Sequence, residues 1–527
     1  MNIRRPGMSI AFFVGALLTL GTLGCGSGYN YPNPETSITA TQQPLVAQYN
    51  VTLPRKEGSV WVEFGRDTSY GRQTSVTPAT TAFGQTVGIL VAGMQPSTTY
   101  HMRAHVDWYA GLSWVDQDQT FTTGAVPDQH FAGTGNQGPL IVPGLTVIHP
   151  SPNLIPSAGV ELLDLVAQSD DHILEALITD LQGNVIWYYD VGQGNYPSPF
   201  KPVPNGHFLV VRSSGFDGFV LQEIDLVGNV VRQITPAQVS QGLQEKGYAF
   251  SVTQFHHDVI ILPNGHWIVL ANTFKEFTNL PGYPGTTNVT GDALIDLDPN
   301  WSVVWAWSSF DYLDVNRHLE GLPDWTHSNA IVYTPNDGNL LLSMRNQSWI
   351  LKIDYANGQG TGNILWKLGY GGDFALAGGD PREWFYGQHF PNPITINGSQ
   401  MTLAVFDDGN GRVLDSNGDV CGSPGKPQCD SRAKVFQIDE STKTTSLDWQ
   451  FLPGLFTFWG GSIGQLANGN VEFDMSEPFF NNPSGSQVME VTQTANPEVV
   501  WQMNIQGANA YRAYRIPSLY PGVTWQK

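Results

Sequence analysis

Three histidines occupy equivalent places in a repeated sequence pattern. A turn that contains asparagine enters an apolar run in "PNGHWIVL" (263–270), "PNDGNLLL" (335–342) and "INGSQMTLAV" (396–405). His256 and His389 each lie eight residues before the turn asparagine, and His327 lies nine before it, in a turn with one extra residue. Equivalent points of repeated β units lie on a ring around a common axis, so we expect the three imidazoles to converge. The alternative is that each histidine is structural.

An asparagine and an arginine accompany these histidines. Asn329 follows His327 by two residues and therefore shares its face of an extended strand. Arg345 lies in the apolar run "LLLSMRNQS" (340–348), where a guanidinium is costly unless it meets an anion. Its partner is either an anionic ligand or one of the two aspartates at 407–408.

Three imidazoles, one guanidinium and one amide suit two kinds of ligand. Three histidines can hold zinc or iron, but the guanidinium of Arg345 would repel a dication. The set favours a small tetrahedral oxyanion, phosphate or sulfate, whose transfer requires mainly positioning and charge neutralisation. A neutral histidine can also act as the nucleophile and form a covalent intermediate. We therefore expect no metal and no cofactor.

The repeat that carries the histidines predicts the fold. Its second half is an acidic or polar turn followed by a tryptophan, as in "LIDLDPNWSVVWAW" (294–307), and one of its six copies, "EIDLVGNVVRQI" (223–234), lacks the tryptophan. The Asn-Gly steps predict type I′ hairpin turns, in which both central residues have positive φ. We predict an all-β protein with a six-bladed β-propeller at 139–527, closed by "AYRAYRIPSLY" (510–520). A β-sandwich is the competing architecture.

A separate domain precedes the repeats. Residues 39–125 contain alternating strands such as "SVWVEFG" (59–65). The stretch from Pro96 to Tyr100 is similar to the corner of an immunoglobulin/fibronectin-III-like β-sandwich, where a tyrosine ring is buried. We predict a structural or docking domain without chemistry of its own.

The first residues and the charge restrict location and partners. Residues 1–25 combine two arginines with an apolar run, as in a signal peptide, and "TLGC" at 22–25 approximates a lipid-attachment motif at Cys25; simple cleavage is the alternative. Residues 26–38 would form a tether. We expect an exported protein, periplasmic or lipid-anchored at the outer membrane. The net charge of −21 argues against nucleic-acid partners.

Cys421 and Cys429 lie eight residues apart in "CGSPGKPQC". Export would place them in an oxidising compartment, so we predict a disulfide. Free thiols and a two-cysteine metal site are the alternatives.

Four motifs together resemble one known family. They are "FHHDVIILPNG" (255–265), "DWTHSNAIVY" (324–333), "LLLSMRNQSWILKID" (340–354) and "GQHFPNPITINGSQMTLAVFDDGNGR" (387–412). The family is that of the bacterial arylsulfate sulfotransferases, exported six-bladed propellers with an N-terminal β-sandwich. They move a sulfuryl group between phenols without a nucleotide sulfate donor. A disulfide after "DDGNGR" is also similar to the family.

The resemblance implies roles for the residues in these motifs. His389 corresponds to the nucleophile that becomes sulfohistidine in a ping-pong reaction. The resemblance implies that His256, His327, Asn329 and Arg345 hold the sulfuryl oxygens. It does not distinguish His256 from His257; the turn alignment favours His256, and strand alternation would point His257 away, into a supporting role.

Aromatic residues beside the motifs are candidates for contact with the substrate ring. They are Phe255, Trp325, Phe390 and Trp459, and ordinary packing is the alternative for each. We expect an aryl sulfate donor and a phenol acceptor as the small-molecule partners. A hydrolase with the same site, or a non-catalytic exported propeller that binds a sulfated or phenolic ligand, remains an alternative. The oligomeric state is left open between a monomer and a homodimer.

Overall fold

The computed structural model describes residues 32–54, 58–79, 84–108, 111–126, 140–168, 172–212, 219–479 and 485–526. The predicted signal peptide, Cys25 and the start of the tether lie outside these ranges. No helix within them is long and apolar enough to cross a membrane.

Nine short strands make up the N-terminal part. They are β1 (Glu35–Ala40), β2 (Ala47–Thr52), β3 (Gly58–Gly65), β4 (Arg72–Gln73), β5 (Thr77–Ala79), β6 (Thr86–Val91), β7 (Thr99–Trp108), β8 (Leu112–Val115) and β9 (Gln119–Thr122). Strands β1, β2 and β6 form one antiparallel sheet, and β3 and β7 form the centre of a second one. Side chains of β3 alternate between buried and half-buried, because one face of its sheet packs in the core.

The tyrosine predicted to be buried at a corner is buried. Tyr100 is 2% exposed, and its hydroxyl accepts a hydrogen bond from the backbone N–H of Gln95 at 3.0 Å. Such a bond to the backbone a few residues upstream is the feature that defines a tyrosine corner.

The rest of the chain is also dominated by strands. They are β10 (Gly144–Ile148), β11 (Val160–Ala167), β12 (Ala176–Thr179), β13 (Val185–Tyr189), β14 (Pro197–Pro202), β15 (Phe208–Arg212), β16 (Val220–Ile224), β17 (Val230–Ile234), β18 (Gln254–Ile261), β19 (Trp267–Leu280), β20 (Tyr283–Leu297), β21 (Val303–Ser308), β22 (Ser328–Thr334), β23 (Asn339–Met344), β24 (Trp349–Ile353), β25 (Ile364–Leu368), β26 (Ala375–Leu376), β27 (His389–Asn397), β28 (Gln400–Asp407), β29 (Arg432–Asp439), β30 (Thr444–Phe451), β31 (Phe456–Thr457), β32 (Ile463–Gln465), β33 (Val471–Met475), β34 (Pro478–Phe479), β35 (Ser486–Val491), β36 (Val499–Gln506) and β37 (Ala508–Ile516).

The helical segments are few and short. They are α1 (Pro236–Glu245), α2 (Ser309–Tyr312) and the 3₁₀ turns Arg345–Gln347, Ala356–Gly358 and Pro381–Glu383. The all-β prediction is therefore confirmed.

Six sheets of four or more strands, antiparallel except for the short pair β26–β30, follow one another within the described part of the chain after residue 140, beside the two-stranded sheet of β31 and β34. Four of them are β14–β17, β18–β21, β22–β25 and β27–β30, and a fifth contains β32, β33, β35 and β36. The sheet of β11–β13, which comes first, is completed by the C-terminal strand β37 on β11. The first strands of consecutive sheets contact each other, β14 with β18, β18 with β22, and β22 with β27. The strand starts that carry the predicted histidines are therefore neighbours.

The repeated tryptophans connect each sheet to another. Each indole Nε1–H of this set donates a hydrogen bond to a turn or a glutamate of the next sheet along the chain, and the last tryptophan donates to the first sheet. The bonds are Trp187 to Leu226 O (2.8 Å), Trp307 to Gly362 O (2.9 Å), Trp366 to Glu440 Oε2 (3.2 Å), Trp449 to Thr494 O (3.0 Å) and Trp501 to Leu181 O (2.9 Å). Arg232 stands in the copy without a tryptophan and donates to Pro299 O at 2.8 Å. The repeat in the sequence is thus a repeat of links between sheets.

The turns of the repeat differ from the predicted type. In the hairpin between β18 and β19, Gly265 has φ +83°, whereas Asn264 is not in the left-handed region. The backbone N–H of Gly265 donates to Leu262 O, and Leu262 N–H donates to His266 O. This is a three-residue loop with one left-handed glycine rather than a type I′ turn, so the type I′ prediction is wrong here.

Candidate active site

A bulge in β18 turns His257 toward the other histidines. The pairing of β18 with β19 loses register between Phe255 and Val259, and His257 has φ +57°. Its ring lies 4.8 Å from the ring of His327 and 5.6 Å from that of Tyr511. The prediction that His257 points away is wrong, because strand alternation does not hold through a bulge.

His256 lies behind His257. It is 4% exposed, and its Nδ1 lies 2.7 Å from Nδ1 of His257. Its Nε2 lies 3.2 Å from Asp292 Oδ1 and 3.0 Å from Asn272 Nδ2. His256 is therefore held by its own sheet and supports His257, the reverse of the predicted order.

Asp292 ties the two histidine segments together. Its second oxygen accepts from the Thr326 hydroxyl at 2.7 Å and from Ser328 N–H at 2.6 Å, on either side of His327. Burial acts to raise the pKa of Asp292. The hydrogen bonds from His256, Ser328 and Thr326 together outweigh burial and hold this pKa below its usual value. The sequence analysis did not identify this residue.

His327 is the most accessible of the three predicted histidines. It has φ +46°, its side chain is 30% exposed, and its Nδ1 is hydrogen-bonded to Asp324 Oδ2. A carboxylate on one ring nitrogen fixes the orientation of the ring. His327 can therefore exchange a proton with solvent and with a ligand.

His389 is enclosed at the start of β27. It is 1% exposed; its Nδ1 lies 3.0 Å from Asp408 Oδ2, and its Nε2 accepts a long hydrogen bond, 3.3 Å, from Gly460 N–H. Burial, with Arg345 and His327 nearby, holds the pKa of His389 well below its usual value. The ring is therefore neutral at pH 7 and carries a lone pair on Nε2 when Nδ1 bears the proton.

Burial raises the pKa of Asp408 well above its usual value, although Arg345 acts against this. The raised pKa of Asp408 and the lowered pKa of His389 favour the same state, a neutral imidazole beside a protonated carboxyl. A carboxyl oxygen 3.0 Å from Nδ1 can accept a hydrogen bond from Nδ1–H when positive charge develops on the ring, without loss of the carboxyl proton.

Arg345 lies beside His389 and Asp408. Its backbone N–H donates to His327 O at 3.2 Å, as expected for a strand end that runs alongside. Its guanidinium donates to Asn346 Oδ1 at 2.8 Å and to Phe458 O at 2.5 Å, and its Nε has no partner among the described residues. The alternative was an ion pair with one of the aspartates at 407–408. Asp407 instead binds Arg412 and Lys434, and Asp408 lies close enough for Arg345 to lower its pKa but forms no ion pair with it among the described residues.

Asn329 holds neighbouring backbone in place. It is fully buried, its Nδ2 donates to Gln388 O at 2.7 Å, and its Oδ1 lacks a partner among the described residues. It thereby connects β22 to the residue before His389.

The predicted aromatic residues divide into two groups. Phe255 and Trp325 are buried in hydrophobic clusters, and the Trp325 indole also donates to Arg317 O. Packing, the alternative considered for them, accounts for both.

Phe390 and Trp459 lie nearer the histidines. Phe390, φ +46°, lies under the guanidinium of Arg512 at 4.5 Å. The half-buried Trp459 stacks at 6.4 Å on Tyr511, whose ring also lies 6.2 Å from that of His389. Phe458 next to Trp459 is 41% exposed. Tyr511 was missed by the sequence analysis because it comes from the C-terminal strand.

Two further predictions concern cysteines and metals. Cys421 and Cys429 form the predicted disulfide, with Cα atoms 5.0 Å apart. Within the described ranges, no three His, Cys, Asp or Glu side chains are grouped so as to hold a metal ion.

The structure thus brings together His257, His327, His389, Arg345 and Tyr511. The family model described as Arylsulfotransferase (ASST) matches residues 152–515, a range that contains all five. No curated protein sequence matches the chain significantly.

Solved structures are only distantly similar. A putative 6-phosphogluconolactonase from Bacteroides fragilis has 10% identity and a TM-score of 0.36, over 69% of this chain and 100% of that one. A mutant of the Synechocystis ACO has 11% identity and a TM-score of 0.30, over 92% and 96%. Similarity at this level supports no inference here.

The family match rests on the sheets that carry the histidines and extends over well more than half of the chain. The family implies sulfotransferase activity and small-molecule substrates. The chain belongs to the arylsulfotransferase family.

Proposed function

We propose that the protein transfers a sulfuryl group from an aryl sulfate to a phenol through a covalent intermediate on His389. The observation that carries the proposal is the setting of His389, a buried imidazole 3.0 Å from Asp408, in the same site as Arg345, His327 and His257; burial, Arg345 and His327 lower its pKa and so favour the neutral ring. A neutral imidazole is a nucleophile, and the surrounding charges can bind an anionic donor. Family membership supports the substrate class.

The first half-reaction follows from the position of the groups. Nε2 of His389 attacks sulfur, the N–S bond forms, and the S–O bond to the aryl group breaks with its electron pair on the phenolate oxygen. His327, paired with Asp324 and open to solvent, donates the proton to that oxygen. Arg345 and His257 would then face the sulfuryl oxygens, and Asp408 lies 3.0 Å from Nδ1, the ring nitrogen on the side away from sulfur.

The second half-reaction returns the enzyme to its starting state. A phenol oxygen attacks sulfur and gives its proton to His327, while the N–S electron pair returns to Nε2. Because burial and the neighbouring histidines hold the pKa of His257 well below its usual value, His257 remains neutral; the solvent-exposed His327 takes the role of acid and base in this proposal. His256 keeps His257 in place.

The aromatic groups beside Arg345 suit an aryl ring. Phe458 and Trp459 lie on the segment whose carbonyl binds the guanidinium, and Trp459 is backed by Tyr511. A ring stacked on this segment would lie next to the sulfuryl position.

The architecture is also part of the proposal. We propose that the six sheets form a closed six-bladed propeller, supported by the links between sheets and by the pairing of β37 with β11. We propose an immunoglobulin/fibronectin-III-like sandwich before it, supported by the Tyr100 corner. The domain bounds, 39–125 and 139–527, remain predictions.

Export is proposed on chemical grounds. The Cys421–Cys429 disulfide suits an oxidising compartment, in agreement with the signal-like residues 1–25. Lipid attachment at Cys25 and a homodimer remain predictions, testable by mass spectrometry of the membrane fraction and by light scattering.

A chromogenic aryl sulfate tests the function. We expect phenolate release that phenol accelerates and that yields a sulfated second phenol. His389→Ala should abolish release, whereas His149→Ala, an exposed histidine outside the site, should not. Release unaffected by phenol would instead indicate a hydrolase, and binding without release would indicate a ligand-binding protein.

A further inference from the structure

A buried arginine lies directly beneath the histidines. Arg512 is 0% exposed and belongs to β37, the C-terminal strand that completes the first sheet. Its guanidinium lies 5.1 Å from the ring of Tyr511, which contacts both His257 and His389. A charge at this depth needs a function or a partner.

Arg512 has no carboxylate of its own. The nearest in an ion pair is Asp258 Oδ1 at 3.8 Å, and Lys201 already binds that oxygen. Asp164 also faces it, but burial raises the pKa of Asp164 to about 8, so this carboxyl is mostly protonated at pH 7. Asp474 faces it from β33, and burial raises its pKa well above the usual value. The positive charge of Arg512 is therefore distributed over Asp258 and several hydrogen-bond acceptors rather than paired with one carboxylate.

The guanidinium also contacts the strands that carry the site. It donates to the carbonyl oxygen of Asn329 in β22, lies over Phe390, the residue after His389, and lies 3.4 Å from the hydroxyl oxygens of Tyr511 and Tyr514. A guanidinium carries several N–H donors in one plane and can make these contacts at the same time, whereas the single ammonium of a lysine cannot.

We propose that Arg512 is a positioning residue of the transfer site, a fixed positive charge beneath the histidines that also holds the backbone of β22 against β27; the inference rests on the proposed function. The charge favours an anionic sulfuryl donor above it in a protein whose net charge is −21.

The charge has a measurable consequence. Arg512 lowers the pKa of both His257 and His389, after the larger contribution of burial. Removing the charge should therefore raise both pKa values. Because the nucleophile is neutral His389, the acidic limb of kcat/KM should move to higher pH. Arg345 and His327 also lower the pKa of His389, and His256 and His327 also lower that of His257. These residues are unchanged when Arg512 is replaced.

Arg512→Gln and Arg512→Lys separate charge from geometry. We expect Arg512→Gln to move the acidic limb upward by about one unit. Arg512→Lys should leave the limb in place and lower kcat about tenfold, because one ammonium cannot reach Asn329 and the tyrosines together. An unmoved limb in a folded Arg512→Gln variant, or wild-type kcat in Arg512→Lys, overturns the proposal. If Arg512→Gln does not fold, the lysine variant decides alone.

Arg515→Lys is the matched control. Arg515 lies three residues further along β37, also buried, but it binds Glu161, Glu472 and Glu490. Its replacement should lower stability without moving the acidic limb. An equal shift in Arg515→Lys would show that the shift comes from general loosening and would overturn the proposal.

NMR titration of ¹³C-labelled histidine gives a readout independent of turnover. The His257 and His389 rings, assigned by substitution, should titrate about one unit higher in Arg512→Gln than in wild type. Higher pKa values in a protein without transfer activity would overturn the proposed function alone. Unchanged values in a protein that does transfer would overturn the role of Arg512 alone.

Discussion

His389 Nδ1 lies 3.0 Å from Asp408 Oδ2, and both side chains are excluded from solvent. The carboxyl group faces Nδ1, whereas Nε2 is the ring nitrogen that attacks sulfur in the proposed reaction. The hydrogen bond from Gly460 N–H to Nε2 places the lone pair on Nε2, and the carboxyl oxygen can accept from Nδ1–H when the ring becomes positive.

Asp408→Asn should therefore impair the chemical step. Asparagine is similar in size to the protonated aspartic acid, so the fold should remain, but its NH₂ group can donate to Nδ1 and so favour the tautomer that carries the proton on Nε2. We expect kcat to fall about 100-fold with little change in KM. Steady-state kinetics measure this, with the circular dichroism spectrum as control; an unchanged kcat would remove Asp408 from the mechanism.

Substitutions of the adjacent histidines should differ in effect. His257 contacts His327 and Tyr511, whereas His256 is bound to Asp292. We expect His257→Ala to lower kcat/KM about 100-fold and His256→Ala about tenfold. A larger loss of kcat/KM in His256→Ala than in His257→Ala would support the prediction from the turn alignment, that His256 contacts the sulfuryl group.

Activity should persist under mildly acidic conditions. The pKa of His389 is held well below the usual 6.5, and protonation would remove its lone pair. The acidic limb of kcat/KM in the wild-type enzyme should therefore lie below pH 6.5. A pH–rate profile whose acidic limb is centred at or above pH 6.5 would contradict a buried neutral nucleophile.

The links between sheets should contribute to stability. Trp307 is 1% exposed and donates to Gly362 O, so Trp307→Phe removes a buried hydrogen bond and some packing. We expect a loss of about 2 kcal/mol in the free energy of unfolding. Chemical denaturation measures it; Trp61→Phe, in the half-buried part of the N-terminal sheet, should cost less.

Asp164 should make stability depend on pH. Its pKa is 3.8 ordinarily and about 8 in the folded state, because burial disfavours the charged form. The folded state thus keeps a proton that the unfolded chain releases, and stability contributed by this group is lost as pH rises from about 4 to about 8. Asp164→Asn should gain stability relative to wild type over that interval. A constant difference across it would show that Asp164 does not titrate in this way.

The sequence predicted which strands lie next to each other better than it predicted which side chains of those strands face the site. The turn register located His327 and His389, because a repeated unit fixes the start of each strand. It ranked His256 over His257 because alternation was assumed through residues that form a bulge. The segment 510–520 was predicted to close the fold, and β37 does pair with β11, but the sequence did not show which of its side chains, among them Tyr511 and Arg512, would lie next to the histidines.

Asp408 illustrates a second limit. It was considered only as a partner for Arg345, because sequence spacing does not reveal which of two adjacent aspartates faces a given strand. Asp407 binds Arg412 and Lys434, and Asp408 faces His389. The motif was informative, but the assignment within it required coordinates.

The most direct test of the account is to trap the intermediate. The enzyme is mixed with an aryl sulfate in the absence of acceptor, quenched in alkali, digested and analysed by mass spectrometry. We predict a stoichiometric burst of phenolate and one sulfuryl group on His389, discharged by added phenol. A burst with no sulfuryl group on His389, or turnover by His389→Ala, would contradict it.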